Sequence, residues 1–375
     1  MRKPIHDLVP EYIHDLPVYI PGKPIEEVER ELKIQAVKLA SNENPLGPSP
    51  LAMAAVERAL GESHRYPDGG AFLLHEKLST LHGVPPENIL IGFGSSELID
   101  LAARALLRPG LEGITSHGSF ALFRISIRAT GAKLIETPLK DYTFDLDAIA
   151  RAITADTRAI YLANPNNPTG TIFNADAFDA FLAKVPDHVL VVLDEAYCDY
   201  VERTDYSRSI ERVRQGHNLL ALRTFSKVYG LAGLRLGYGI GPADFLAEMN
   251  KLRTPFNTTN LSQAAALAAL DDHEHVRRSL RSNREGLKQM FEGLAALDIQ
   301  AIPSYANFIL VELGTDAKPV SDELLKLGVI VRPMRWMRFP NAIRVTVGTR
   351  AENEKFLRAM ARIRASVSPS PGTSP

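Results

Sequence analysis

LLALRTFSKVYGLAGLRLGYGIG, residues 219–241, decides how this chain folds. Two apolar runs, LLALRTFS (219–226) and LRLGYGIG (234–241), flank Ser226-Lys227, and Arg235 stands eight residues beyond the lysine. Working outward, runs of the same kind recur upstream: ENILIGFG (87–94), GITSHG (113–118), AKLIETP (132–138), TRAIYLAN (157–164) and VLVVLDEA (189–196). Helix-length segments such as SSELIDLAARALL lie between many of them. Short apolar strands that do not alternate, separated by helices, predict an α/β fold with a mostly parallel sheet covered on both faces.

The pattern changes near RTPFNTTN (253–260). Ala/Leu- and charge-rich helices follow, LSQAAALAAL and HVRRSLRSNREGLKQMFEGLAAL. Then come NFILVEL (307–313), GVIVRP (328–333), the alternating AIRVTVG (342–348) and a terminal helix. This predicts a smaller C-terminal α+β domain, joined to the larger one by the long helix. The expected division is an N-terminal arm over 1–45, a large domain over 46–255, a small domain over 256–365 and a disordered Ser/Pro/Gly tail over 366–375. Pro10, Pro17, Pro21 and Pro24 make the arm extended, with one short helix near IEEVERELK.

At 375 residues the chain is long for one core and suits two. Lys+Arg 43 against Asp+Glu 44 leaves a net charge of -1, so no basic surface for nucleic acid or anionic membrane is expected. The N-terminus has no apolar core of a signal peptide, and no run is long enough to span a membrane. The single cysteine, Cys198, cannot form an intrachain disulfide, which fits a reducing, cytoplasmic setting. Cys198 reads as a small core residue.

Four expected strand ends carry unusual chemistry. ILIGFG runs into Gly94-Ser95-Ser96-Glu97 and a helix, whose first N–H groups can cradle a phosphate. Glu97 occupies the third glycine position of a dinucleotide fingerprint, so a Rossmann site is not expected. AIYLAN runs into Pro165-Asn166-Asn167-Pro168-Thr169-Gly170, VLVVL ends at Asp194, and LLALRTF ends at Ser226-Lys227. Each piece alone is ordinary: a turn, a helix cap, a surface lysine. Ligands of open α/β sheets bind at the carboxyl ends of strands, so all four together point to one site. A lysine amine, an aspartate and an arginine there match what pyridoxal 5'-phosphate requires. In Asp271-Asp272-His273-Glu274-His275 the two histidines point apart on a helix, so no metal is expected and a solvated helix start is.

The order Asn-Pro-Thr-Gly, Asp-x-x-Tyr, Ser-Lys and Arg resembles the pyridoxal-phosphate aminotransferases of the aspartate aminotransferase fold, and among them the histidinol-phosphate aminotransferases. The resemblance implies that Lys227 attaches the cofactor and shuttles the proton at Cα. It implies that Asp194 holds the pyridine nitrogen protonated, and that Tyr197 and Asn167 bond the ring hydroxyl. Ser95, Ser96, Ser226 and Arg235 would hold the phosphate, with Thr224 behind them and Phe120 stacked on the ring. Tyr66 would reach the neighbouring subunit's phosphate, which implies a homodimer with shared sites. Tyr19 and Asn44, in segments near the active site, would serve the substrate, as would Arg332 and Arg344, the first on its phosphate and the second on a carboxylate. The implied reaction transfers an amino group between L-histidinol phosphate and 2-oxoglutarate, in histidine biosynthesis. Aromatic amino-acid transamination is the alternative within the class, and decarboxylation of a phosphorylated amino acid the alternative outside it. One stretch departs from the family pattern: PMRWMRFPNAI, between Arg332 and Arg344, is bulkier and more cationic than the Tyr-Gly segment common there.

Overall fold

The computed structural model describes residues 4–18 and 24–367. Seven strands form the large sheet: β1 Ile89–Gly92, β2 Glu112–Ser116, β3 Lys133–Thr137, β4 Thr157–Ala163, β5 Leu190–Asp194, β6 Leu219–Thr224 and β7 Gly237–Ile240. Their spatial order is β1-β7-β6-β5-β4-β2-β3. Neighbours from β6 to β3 run parallel, and only β7 runs antiparallel to both its partners. All five residues of β5 are buried, which requires cover on both faces of the sheet. Each strand falls on one of the apolar runs that predicted it.

The second sheet is antiparallel: β8 Gln300–Ile302, β9 Phe308–Glu312, β10 Arg332–Met334 and β11 Phe339–Thr346, in the order β8-β9-β11-β10. Here the side chains alternate. Ile309, Val311, Ile343 and Val345 pack against Met290, Leu294, Phe356 and Met360 of the long helix His273–Ala296 and the terminal helix Arg350–Val367. The residues between them, including Leu310 and Arg344, face the other way, toward the large sheet.

Two features depart from the sequence reading. Helix Asn260–Ala269, expected with the C-terminal unit, packs on helix Pro50–Ala59. Its Ala265, Ala266 and Ala269 join the large-sheet core, because a face of small side chains allows close helix approach. The histidine cluster is a helix start, as expected, but only partly solvated: Asp271, His273 and Glu274 are exposed. Asp272 caps His273–Ala296 by accepting from the His275 N–H at 3.1 Å, and its other oxygen accepts from Ser49 Oγ at 2.6 Å. Asp272 and His275 are both buried by that packing.

The arm is tied between the sheets. Val37–Lys38 pairs in parallel with Val329–Ile330, and the Thr346 N–H donates to the Leu39 carbonyl at 2.8 Å. Residues 40–43 are thereby threaded toward the carboxyl ends of the large-sheet strands. No helix among the described residues is long and apolar enough to cross a membrane.

Candidate active site

The register of the large sheet brings the singled-out strand ends to one edge. Gly237 lies opposite both Gly92 and Thr224, and Asp194 lies beside both Ala163 and Leu222. Above this edge opens a cavity of about 290 Å³. Its large-sheet wall holds Ser95, Ser96, Asn167, Asp194, Tyr197, Ser226, Lys227 and Arg235. Its small-sheet wall holds Arg332, Trp336, Met337 and Arg344, and residues 40–43 run between.

One end of the large-sheet wall is an anion cradle. Helix Gly94–Leu106 starts there, and its first amides have no partner within the helix. Gly94 has φ +75°, and a Cβ on it would lie 2.7 Å from Arg235 Nη2. A Cβ on Gly237 would lie 2.5 Å from the Ser95 amide nitrogen, so only glycine lets β7 approach the helix start this closely. Arg235 itself has φ +54°, a left-handed conformation that costs a non-glycine residue free energy and gathers at functional sites. Its Nη1 donates to the Ala232 carbonyl at 3.1 Å and approaches Ser226 Oγ at 3.5 Å. Burial lowers its pKa from the usual guanidinium value. Backbone N–H groups, serine hydroxyls and a half-buried guanidinium suit a phosphate monoester.

Asp194 closes β5 at the floor and is buried. Its Oδ1 accepts the Ala196 N–H at 3.0 Å. Burial pushes its pKa up to about 7, although that N–H and the nearby Lys227 pull it down. A buried carboxylate this poorly compensated favours a cationic partner, as a protonated pyridine nitrogen would be. Behind it, Glu195 accepts from Ser209 Oγ at 2.8 Å and pairs with Arg223 at 3.1 Å.

Lys227 reaches over the floor. Its Nζ lies 3.4 Å from the Asn42 carbonyl oxygen and 5.4 Å from the centre of the Tyr197 ring. The Tyr197 hydroxyl accepts from Asn42 Nδ2 at 2.9 Å and lies 3.5 Å from Asn167 Nδ2. Arg344 donates from Nη1 to Asn167 Oδ1 at 2.7 Å and from Nη2 to the Ala40 carbonyl at 2.6 Å. Arg332 lies directly opposite Arg344 in the β10–β11 register, which turns both guanidiniums to the cavity side.

Two candidates, Asn44 and Tyr66, lie elsewhere. Asn44 does not line the cavity. Its amide donates to the Val228 carbonyl and to Ser279 Oγ, both at 2.8 Å, and so steadies the turn after Lys227. Tyr66 is 83% exposed, stacked on Phe256 at 4.6 Å, outside this subunit's own cavity. Tyr19 lies outside the described residues. Phe120 lines the cavity wall, edge-on to Phe123. Cys198 is half-buried, and burial raises its thiol pKa well above the usual value, as befits a packing residue. Asn42 is the residue that sequence reasoning missed in favour of Asn44. It adopts φ +55°, a conformation asparagine tolerates, and its side chain and carbonyl hold Tyr197 and meet Lys227.

Residues 34–360 match the family model of aminotransferase class I and II. The chain belongs to that family. It is 48% identical over 352 residues to histidinol-phosphate aminotransferase 1 of Nitrosococcus oceani, covering 94% of this chain and 95% of that one. It is 45% identical over 359 residues to the histidinol-phosphate aminotransferase of an Anaeromyxobacter species, covering 95% and 99%. A solved histidinol-phosphate aminotransferase from Sinorhizobium meliloti, in complex with pyridoxal-5'-phosphate, superposes with a TM-score of 0.88 at 28% identity, covering 96% of this chain and 98% of that one.

Proposed function

We propose that this chain is a pyridoxal-phosphate-dependent aminotransferase that moves an amino group between L-histidinol phosphate and 2-oxoglutarate. The carrying observation is that Lys227, Asp194 and Arg235 meet on one wall of a cavity whose facing wall presents Arg332 and Arg344. The relatives' names and the bound cofactor of the Sinorhizobium enzyme support the same reading.

The residues present fit the cofactor: a phosphate cradle, and a buried carboxylate that favours a cation. When bound, pyridoxal phosphate supplies an electron sink for the pair left at Cα. Arg235, Ser95, Ser96 and Ser226 would fix the phosphate. Asp194 would stay ionised against the ring nitrogen and keep it protonated. Tyr197, aligned by Asn42, and Asn167 would bond the ring hydroxyl, and Phe120 would flank the ring. Lys227 would hold and move the Cα proton, since its amine stands above the floor, 3.4 Å from the Asn42 carbonyl oxygen and 5.4 Å from the centre of the Tyr197 ring. Arg344 would bind the acceptor's carboxylate, and Arg332 the distal anion of either partner, through fork-shaped donors.

The homodimer belongs to this proposal. Tyr66, Phe72, Leu73 and Leu81 are more than half exposed although large and apolar, which supports a partner covering that region. Tyr66 would then complete the partner's phosphate cradle. The test is steady-state glutamate formation by the purified protein with 2-oxoglutarate and candidate donors. Histidinol phosphate should sustain turnover. Turnover with phenylalanine or tyrosine but none with histidinol phosphate would replace this reading with the aromatic one.

A further inference from the structure

Trp336 is the sole tryptophan of the chain, and it stands in the cavity wall beside Arg332. The Arg332 guanidinium carbon lies 5.2 Å from the centre of the indole ring. We propose that Trp336 is a positioning residue that sets donor specificity: its indole is a shelf that holds the Arg332 guanidinium for a distal phosphate. This rests on the aminotransferase reading of the cavity.

The shelf is anchored from outside the small sheet. Trp336 sits in a single turn, Arg335–Met337, that follows a register shift at Pro333/Met334 and ends on Arg338 with φ +67°. Arg124, on helix Ala121–Ala129 beside the large sheet, donates to the Trp336 carbonyl at 3.3 Å. Glu136, on β3, pairs with Arg124 at 3.7 Å and with Arg338 at 3.0 Å. The Glu136 and Arg124 side chains are only 17% and 20% exposed, so that pair is less screened than a surface one, whereas Arg338 is 59% exposed. On the apolar side, Phe120 and Trp336 pack on the same cluster of Ala121, Met334 and Met337. The indole is thus held by a backbone hydrogen bond, by a two-arginine clamp around Glu136 and by packing.

A guanidinium on an aromatic face is attracted by the ring quadrupole, and its N–H groups lie in the guanidinium plane, the plane in which it bonds an anion. Without the ring, the long arginine side chain has more rotamers to lose when it meets a phosphate. The benefit therefore goes to donors with a distal anion and not to phenylalanine.

The test uses the holoenzyme. Inorganic phosphate should produce a saturable change in tryptophan fluorescence, and Arg332→Ala should abolish it. In Trp336→Ala, kcat/KM for histidinol phosphate should fall about tenfold, mostly through KM, matching a partly desolvated cation–π contact. Phenylalanine should change less than about threefold in the same variant, the residual packing effect. Trp336→Tyr should restore most of the loss, because it keeps an aromatic face. Unchanged histidinol phosphate kinetics in Trp336→Ala overturns the proposal, as does an equal loss for both donors. A fluorescence response to phosphate without any turnover of histidinol phosphate sinks the donor assignment but upholds the anion shelf.

Discussion

The two walls of the cavity are built by different rules. The large-sheet wall is made at strand ends: Gly94, Asp194 and Lys227 each stand where a buried strand breaks into a turn or helix. Its chemistry is set by backbone amides, by burial and by residues close in sequence to those breaks. The small-sheet wall is made by strand alternation and by one irregular turn. Arg344 and Arg332 face the cavity because their neighbours Ile343 and Val345, and Val331, are committed to the helix-covered core. The difference teaches that the first wall is specified locally and suits a fixed cofactor, whereas the second can change its ligand by altering a few side chains around residues 335–338.

Several substitutions would break or sharpen that contrast. The largest effect belongs to Lys227→Ala, which removes both the attachment point and the proton carrier. Turnover should fall by about 10,000-fold or more, with cofactor still bound noncovalently. Borohydride reduction of the native protein followed by peptide mapping should mark Lys227, and labelling of another lysine would reassign the site. Asp194→Ala comes next. Loss of the ring-nitrogen partner should raise the barrier by more than about 3 kcal/mol, read as kcat for either donor. A near-native rate would refute the role of the floor.

A smaller effect concerns the cofactor-free protein. Burial raises the Asp194 pKa from 3.8 to about 7. Below about pH 4 the carboxyl is protonated in both folded and unfolded chains and costs nothing. Between there and pH 7 the folded protein keeps a proton that the unfolded chain has released, so stability falls as pH rises through that window. Asp194→Asn should remove this slope. The cofactor-free variant should be more stable than the native chain at pH 8, by on the order of 4 kcal/mol, and equal to it near pH 4. Urea unfolding at the two pH values checks this, and a difference of the same size at both would show that ionisation is not the cause.

Much of this was legible in the sequence, for physical reasons that also mark where reading stops. All seven large-sheet strands coincide with apolar runs, and the runs of β4, β5 and β6 are the plainest because these inner parallel strands are buried on both faces. Gln300–Ile302 was not legible: of its three residues only Ile302 is buried, and no period shows in so short a piece. The hairpin of Leu139–Lys140 and Thr143–Phe144 escaped for the same reason. In the site, the residues at strand ends converge as their motifs predicted. The choice between Asn42 and Asn44 was beyond the sequence, because it depends on contacts far along the chain. The Asn42 N–H donates to Thr346 Oγ1 at 2.9 Å, and that bond turns its side chain to Tyr197 while Asn44 turns to Val228. Trp336 stood out as a departure in PMRWMRFPNAI, but its place beside Arg332 follows from the register shift in β10, which no local pattern announces.

The separation of the two walls is tested most directly by assaying Arg235→Ala and Arg332→Ala side by side for two quantities. These are cofactor affinity and the ratio of single-turnover rates with histidinol phosphate and phenylalanine. Arg235→Ala should bind pyridoxal phosphate at least about tenfold more weakly, while the donor ratio stays near the native one. Arg332→Ala should keep native cofactor affinity and lose roughly 2–3 kcal/mol of preference for histidinol phosphate, the scale of a charge-assisted pair. Shedding of cofactor by Arg332→Ala, or an equal shift of the donor ratio in both variants, would contradict the account.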